Sequence, residues 1–122
     1  MTTTIQTKRV YADPDGDSSA DGLRIYVDRL WPRGESKEKF HYDIWDKQIA
    51  PSDDLRHWFH QDPENRWDEF KERYIKELNA NPATKELINK IKQEKLVTLL
   101  YSSHDTEHNN AIILADYLRG KI

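Results

Sequence analysis

A chain of 122 residues with 36% hydrophobic and 34% charged residues has room for one domain with a modest core, and four Trp, six Tyr and three Phe must fill much of that core. A formal net charge of −3 argues against a partner gripped mainly through phosphates, as duplex nucleic acid is. The lack of cysteine removes disulfides, thiol nucleophiles and thiolate metal sites.

In chain order, Ile5 to Tyr11 alternates as a strand does, and Asp13 to Gly22 is dense in turn formers and negative charge, which predicts an exposed loop. That loop allows antiparallel pairing with the next strand, Leu23 to Asp28, which is rich in β-branched and aromatic residues. The strand runs into Asp28-Arg29-Leu30-Trp31-Pro32-Arg33-Gly34, a costly set of charges for a plain turn. Ser36 to Ile49 satisfies neither period and reads as a short strand or an irregular layer.

Ala50-Pro51-Ser52-Asp53 is a stop followed by an N-cap, and it starts a short helix through Leu55, Trp58 and Phe59. Asp62-Pro63-Glu64 repeats that grammar, and Trp67, Phe70, Tyr74 and Leu78 then recur at spacings of three and four, giving one apolar face. Asn81-Pro82 opens a third helix with Thr84, Leu87, Ile88 and Ile91 as its buried stripe. Leu96 to Tyr101 is nearly continuous in apolar residues, the pattern of a strand covered on both faces. A last helix begins near Asp105 or Thr106, runs through Ala111, Ile112, Leu114, Ala115 and Leu118, and ends at Gly120. The fold class is α/β: a small single-domain layered fold over residues 1–122, with a short, mainly parallel sheet flanked by helices. No apolar run approaches the roughly 18 residues that span a bilayer, and Met1-Thr2-Thr3-Thr4-Ile5 lacks signal-peptide character. The expectation is a soluble cytoplasmic protein without a membrane partner.

Two polar clusters stand out, Asp28 to Gly34 after the second strand and Ser102 to Asn110 after the last. If those strands are parallel neighbours, both clusters emerge at the carboxyl edge of the sheet, where open α/β sheets bind ligands. Arg29 and Arg33 then offer fixed guanidinium forks to a phosphate or carboxylate. Asp28 either orients one of them or forms a structural ion pair with Arg29, and Trp31 serves as a packing wedge or a stacking platform. Ser102, Ser103 and Asn109 exceed what helix capping requires and are candidate ligand contacts, with His57 and Trp58 of the short helix beside them. His108 either moves a proton near neutral pH or is a hydrogen-bonded histidine without chemistry. His104 and His108 stand four apart, as in some zinc sites, but the acidic neighbours miss the metalloprotease pattern, and neither a metal nor a cofactor is assigned.

The expected function is binding of a small anionic molecule, a phosphorylated metabolite or a nucleotide. Catalysis, if it occurs, is transfer or hydrolysis, with Arg29 and Arg33 stabilising charge and His108 moving the proton. The competing readings are a non-catalytic regulatory or interaction module using the same pocket, and an accessory nucleic-acid binder using Arg29, Arg33, Lys37 and Lys39.

From Lys8 to Leu118 the chain resembles the YeaO-like branch of a bacterial domain-of-unknown-function family. The resemblance rests on Val27-Asp28-Arg29-Leu30-Trp31-Pro32-Arg33-Gly34, Ala50-Pro51-Ser52, Leu55-Arg56-His57-Trp58-Phe59, Arg73-Tyr74, and Thr98 to Tyr101 with Asp105, His108, Asn109 and Ala111. It implies an α/β domain whose strand-end arginine motif faces the loop after the last strand, and it carries over no established activity. Other branches resemble this one at Asp28, Arg29, Pro32 and Arg33 but place a Cys-His-Arg arrangement after the last strand. With no cysteine here, thiol chemistry does not transfer.

Overall fold

The computed structural model describes residues 2–12 and 18–122. Among these, β1 (Thr4–Arg9), β2 (Leu23–Tyr26), β3 (Ile44–Trp45) and β4 (Leu96–Tyr101) form one sheet in the order β1-β4-β2-β3, with every pairing parallel. The sheet's most continuous apolar segment, β4, lies between β1 and β2, and its residues 97–101 are buried. This corrects the antiparallel pairing considered for the first two strands, since β4 separates them and each aligns with it. The first strand also ends earlier than its alternation predicts, because Val10–Ala12 turn into a 3-10 helix.

Alternation divides the sheet into two faces. Ile25, Val27, Val97, Leu99 and Tyr101 point to one face, and α2 (Asp53–Gln61), α3 (Pro63–Ala80), α4 (Pro82–Ile91) and α5 (Asn110–Arg119) close over it. The expected stripes are there: Phe70, Tyr74 and Leu78 of α3 and Thr84, Leu87 and Ile91 of α4 are buried. Capping follows the sequence at two helices, where Ser52 Oγ accepts from Leu55 N at 3.3 Å and Asn81 Oδ1 accepts from Ala83 N at 3.0 Å.

The opposite face splits into an aromatic half and a polar half. At the carboxyl end Tyr26 and Leu100 pack with Val10 and Phe40, and Trp31, Tyr42 and Trp45 join them. Residues 36–49, ambiguous in sequence, supply this irregular layer with β3 as its one short strand and a 3-10 turn at Lys47–Ile49. At the amino end Arg24 and Thr98 are fully buried beside Asp21 of a one-turn helix, α1 (Ser18–Asp21). Asp21 pairs with Arg24 and, at 2.8 Å, with Lys8, and its carbonyl accepts from Thr98 Oγ1 at 2.6 Å. Burial alone would push the Asp21 carboxyl up, but the hydrogen bonds and charges of Lys8 and Arg24 outweigh it and hold it below its ordinary value. The first half of the exposed loop predicted at 13–22, residues 13–17, lies outside the described residues, and its end is corrected: Ser18–Asp21 form a helical turn and Asp21 is a core ion-pair residue, 1% exposed.

Gly22 follows at φ +66°, where a Cβ would stand 2.1 Å from the Leu96 carbonyl oxygen. Gly34 also has a positive φ, +85°, but nothing lies within 4 Å of its Cβ position. Gly22→Ala is therefore expected to destabilise by at least about 2 kcal/mol, from backbone strain plus overpacking. Gly34→Ala should cost only about 1 kcal/mol, from the left-handed backbone alone. Urea midpoints at unchanged slope would measure both, and equal losses would contradict the steric account.

Candidate functional site

Because β2 and β4 run parallel, the segments that follow them leave the same edge of the sheet. Val27 N donates to Leu100 O at 3.1 Å, extending the ladder one residue beyond β2. Asp28 then ties the two exits together, its Oδ2 accepting from Ser102 N at 2.9 Å and from Ser102 Oγ at 2.6 Å. The carbonyls of this corner are pinned in turn: Val27 O by Asn110 Nδ2, Asp28 O by Trp45 Nε1 and Leu30 O by the Tyr26 hydroxyl. Burial, and then the Asp28 carboxylate, push the Tyr26 phenol up, so it stays a proton donor.

A cleft of about 820 Å³ opens at this edge. Arg9, Arg29, Arg33 and Arg56 face Asp28 and Asp105 across it, over a floor that includes Phe59 and Phe70. The guanidiniums differ in how they are engaged. Arg9 donates from Nε to Ser103 O at 2.9 Å, contacts His104 Nδ1 at 3.0 Å and lies over the Tyr11 ring. Arg33 is exposed, and it is held by its backbone, whose carbonyl accepts from the Tyr11 hydroxyl at 2.6 Å. Arg29 and Arg56 each bury an Nε that has no hydrogen-bond partner among the described residues. Unmet donors of this kind are uncommon in folded proteins.

Of the residues singled out from sequence, Asp28, Arg29, Trp31, Arg33, Ser102, Ser103, His108 and Asn109 all border this cleft. Asp28 neither orients an arginine nor pairs with Arg29; it holds Ser102. Trp31 packs edge-on against Phe40, Tyr42 and Trp45 and donates its indole N–H to Glu35 O, so the wedge reading describes its position. Asn109 is the N-cap of α5, accepting from Ile112 N at 3.0 Å and donating to Asp105 O at 2.9 Å. The helix thus starts at Asn110, four or five residues later than read from sequence, because Asp105 closes its own turn by accepting from the backbone of Glu107 and His108. The Glu107 N–H, helped by that of His108, keeps the Asp105 carboxyl below its ordinary range. His108 Nδ1 lies 3.2 Å from Asp105 Oδ2, and its ring stands perpendicular to Trp67.

His57 and Trp58 lie outside the cleft. On α2, positions 56, 59 and 60 share one face, which turns Arg56, Phe59 and His60 toward it and their immediate neighbours away. Trp58 instead carries the guanidiniums of Arg66 and Arg73 on its ring faces, at 4.8 and 4.3 Å. Among the arginines and histidines that border the cleft, Arg9, Arg56 and His60 are those that sequence reasoning missed; the i, i+4 spacing of Arg56 and His60 around the buried Phe59 was the available signal. Among the described residues no group of three or more His, Cys, Asp or Glu side chains could hold a metal ion, and no helix is long and apolar enough to cross a membrane.

Residues 4–122 match a family model described as the inactive DUF488-N3 subclade. The chain belongs to that family. It is 44% identical over 115 residues to the uncharacterized protein YeaO of Escherichia coli K12, covering 94% of this chain and 96% of the relative. The uncharacterized proteins Mb3100c of Mycobacterium bovis and Rv3073c of Mycobacterium tuberculosis are each 40% identical over 119 residues, 98% of this chain and 97% of theirs. No solved structure matches the chain. The YeaO-like resemblance read from the strand-end motif is thereby established.

The cleft has an electrostatic signature that can be measured without a ligand. His60 keeps solvent access, but partial desolvation of its ring, and then the nearby Arg56 charge, lower its pKa from the ordinary 6.5. The unfolded chain therefore binds more protons around His60, and its contribution to stability, intact above pH 6.5, is lost as pH falls through the lower native midpoint. An NMR titration of the His60 ring should give a midpoint below 6.5, and Arg56→Ala should move it upward. A midpoint indifferent to Arg56 would remove the guanidinium from that pair.

Proposed function

We propose that this domain binds a small anionic molecule, a phosphorylated metabolite or a nucleotide, in the cleft between the Asp28–Arg33 corner and the Ser102–Asn110 loop, without turning it over. The observation that carries this reading is the convergence of four arginines on one cleft, two of them with buried donors that no described residue satisfies. Guanidinium forks with donors to spare suit oxyanions, and a volume of about 820 Å³ falls within the roughly 300–1,000 Å³ of small-molecule sites. Aromatic and aliphatic lining from Phe59, Phe70 and Leu30 leaves apolar surface for the body of such a ligand.

Two observations favour binding over chemistry. The subclade is described as inactive. The cleft's serine nearest the sheet, Ser102, gives its hydroxyl to the Asp28 carboxylate, with no histidine in the pair to take a proton from it. A second reading, hydrolysis or transfer with His108 as the proton carrier, draws on the Asp105–His108 contact, which fixes one ring nitrogen and leaves the other free.

Thermal or denaturant unfolding in the presence of mononucleotides and sugar phosphates separates these readings. A ligand at about 100 times its dissociation constant should stabilise the wild-type protein by about 2.7 kcal/mol. The gain should vanish in the Arg29→Ala, Arg33→Ala double variant, with the ligand recovered chemically unchanged. Stabilisation that survives both substitutions would move the site elsewhere, and consumption of ligand that stops in His108→Ala would replace binding with catalysis.

A further inference from the structure

The four arginines are not held alike, and two of them share one acidic residue from outside the cleft lining. Asp53, in the first turn of α2, directs a single oxygen, Oδ1, at both Arg29 and Arg56, 3.7 Å from Arg29 Nε and 3.4 Å from Arg56 Nη2. Both distances are long for charge-assisted hydrogen bonds, which close to about 2.7–2.9 Å. The other carboxylates near these guanidiniums are committed. Asp28 holds Ser102, and Glu77, in a smaller cavity of about 390 Å³ that Arg29 also borders, accepts from Ser52 N at 2.8 Å and Ser52 Oγ at 2.6 Å. Arg29 and Arg56 therefore share one loosely held carboxylate that is itself 62% exposed, while each keeps an unsatisfied Nε.

We propose that Asp53 is an internal counter-ion occupying the place of a phosphoryl group, and that the ligand's phosphoryl binds Arg29 and Arg56 by displacing it. This rests on the anion-binding reading and adds which pair of arginines forms the primary seat, which chemical group fills it and which residue competes for it. One carboxylate oxygen shared by two guanidiniums leaves donors unmet, whereas a tetrahedral phosphoryl presents three oxygens and can accept from both forks at once. Displacing Asp53 costs little, because exposed ion pairs at these distances are weak, and the freed carboxylate returns to water. Arg9, engaged with Ser103 and His104, and the solvated Arg33 then contact the remainder of the ligand.

Calorimetric titration of the full chain with inorganic phosphate at low ionic strength tests this. Asp53→Asn should lower the dissociation constant at least about threefold, since it removes a competing charge. Asp53→Ser serves as a second variant of the same exposed position. Arg56→Lys should raise the constant about tenfold, because an ammonium cannot reproduce the fork. If phosphate binds and Arg29→Ala abolishes binding, but both Asp53 variants bind no more tightly than wild type, the counter-ion role is overturned and the anion site stands. If neither wild type nor the Asp53 variants take up phosphate, the phosphoryl seat is overturned. Failure of nucleotides and sugar phosphates to stabilise the same proteins would then overturn the broader reading as well.

Discussion

Everything at the carboxyl edge depends on β2 and β4 pointing the same way and being held together just past their last ladder bonds. The Asp28 carboxylate does the second job, taking a backbone N–H and a hydroxyl from Ser102 on a single oxygen. Charge-assisted hydrogen bonds as short as 2.6 Å are among the stronger polar contacts available to a protein. The consequence reaches Arg29. With its sequence neighbour committed across the sheet, Arg29 is left with only the loosely held Asp53, 3.7 Å from its Nε, and its guanidinium extends along the Ala50–Pro51 carbonyls, 3.4 Å from each, toward α2.

Rigidity behind that edge comes from two dissimilar packings on the sheet's second face. The aromatic half locks Trp31 among Phe40, Tyr42 and Trp45, so the loop carrying Arg29 and Arg33 is anchored at its centre by rings that bury roughly 150–250 Å² each. The polar half buries Arg24 with Asp21, and the half-buried Lys8 pairs with Asp21 from its edge. Buried ion pairs add little net stability, because desolvation cancels much of the attraction, but removing one member is costly. That asymmetry ties α1 to β2 and disfavours other registers of the strand.

Much of this was legible in the sequence, for physical reasons that also explain the rest. β4 announces itself because burial on both faces leaves it almost continuously apolar, with Thr98 the one hydroxyl inside the run, and α3 because its apolar residues recur at helical spacing. The meeting of the two polar clusters followed from a parallel sheet. What failed was rotation and capping. His57 and Trp58 are next to Arg56 and Phe59 in sequence yet about 100° away around the helix, and a window of nine residues with aromatics on two sides does not specify which face turns inward. The cap was read at Asp105 or Thr106, which left Asn109 as a spare polar group; Asp105 spends Oδ1 on a turn, so the cap falls to Asn109, which still borders the cleft. Asp21 was lost in a run of acids whose other members give no hint that one is buried.

The charge balance shows why a global quantity misdirects a local question. A chain with net charge −3 nonetheless sets four arginines against two aspartates around one cleft. At physiological ionic strength, fields between exposed charges decay over about 8 Å, so acids on the far faces of α3 and α4 scarcely reach the site. The oxygens of the two cleft aspartates are partly occupied, those of Asp28 by hydrogen bonds from Ser102 and those of Asp105 by hydrogen bonds from Glu107 and His108. The potential an approaching anion meets is therefore set by the guanidiniums and by partial exclusion of water against Phe59 and Phe70, where each charge acts more strongly than on open surface. The same desolvation lowers the His60 pKa, so this histidine adds less positive charge near pH 7 than a solvated one would, whereas the four guanidiniums keep theirs at any physiological pH.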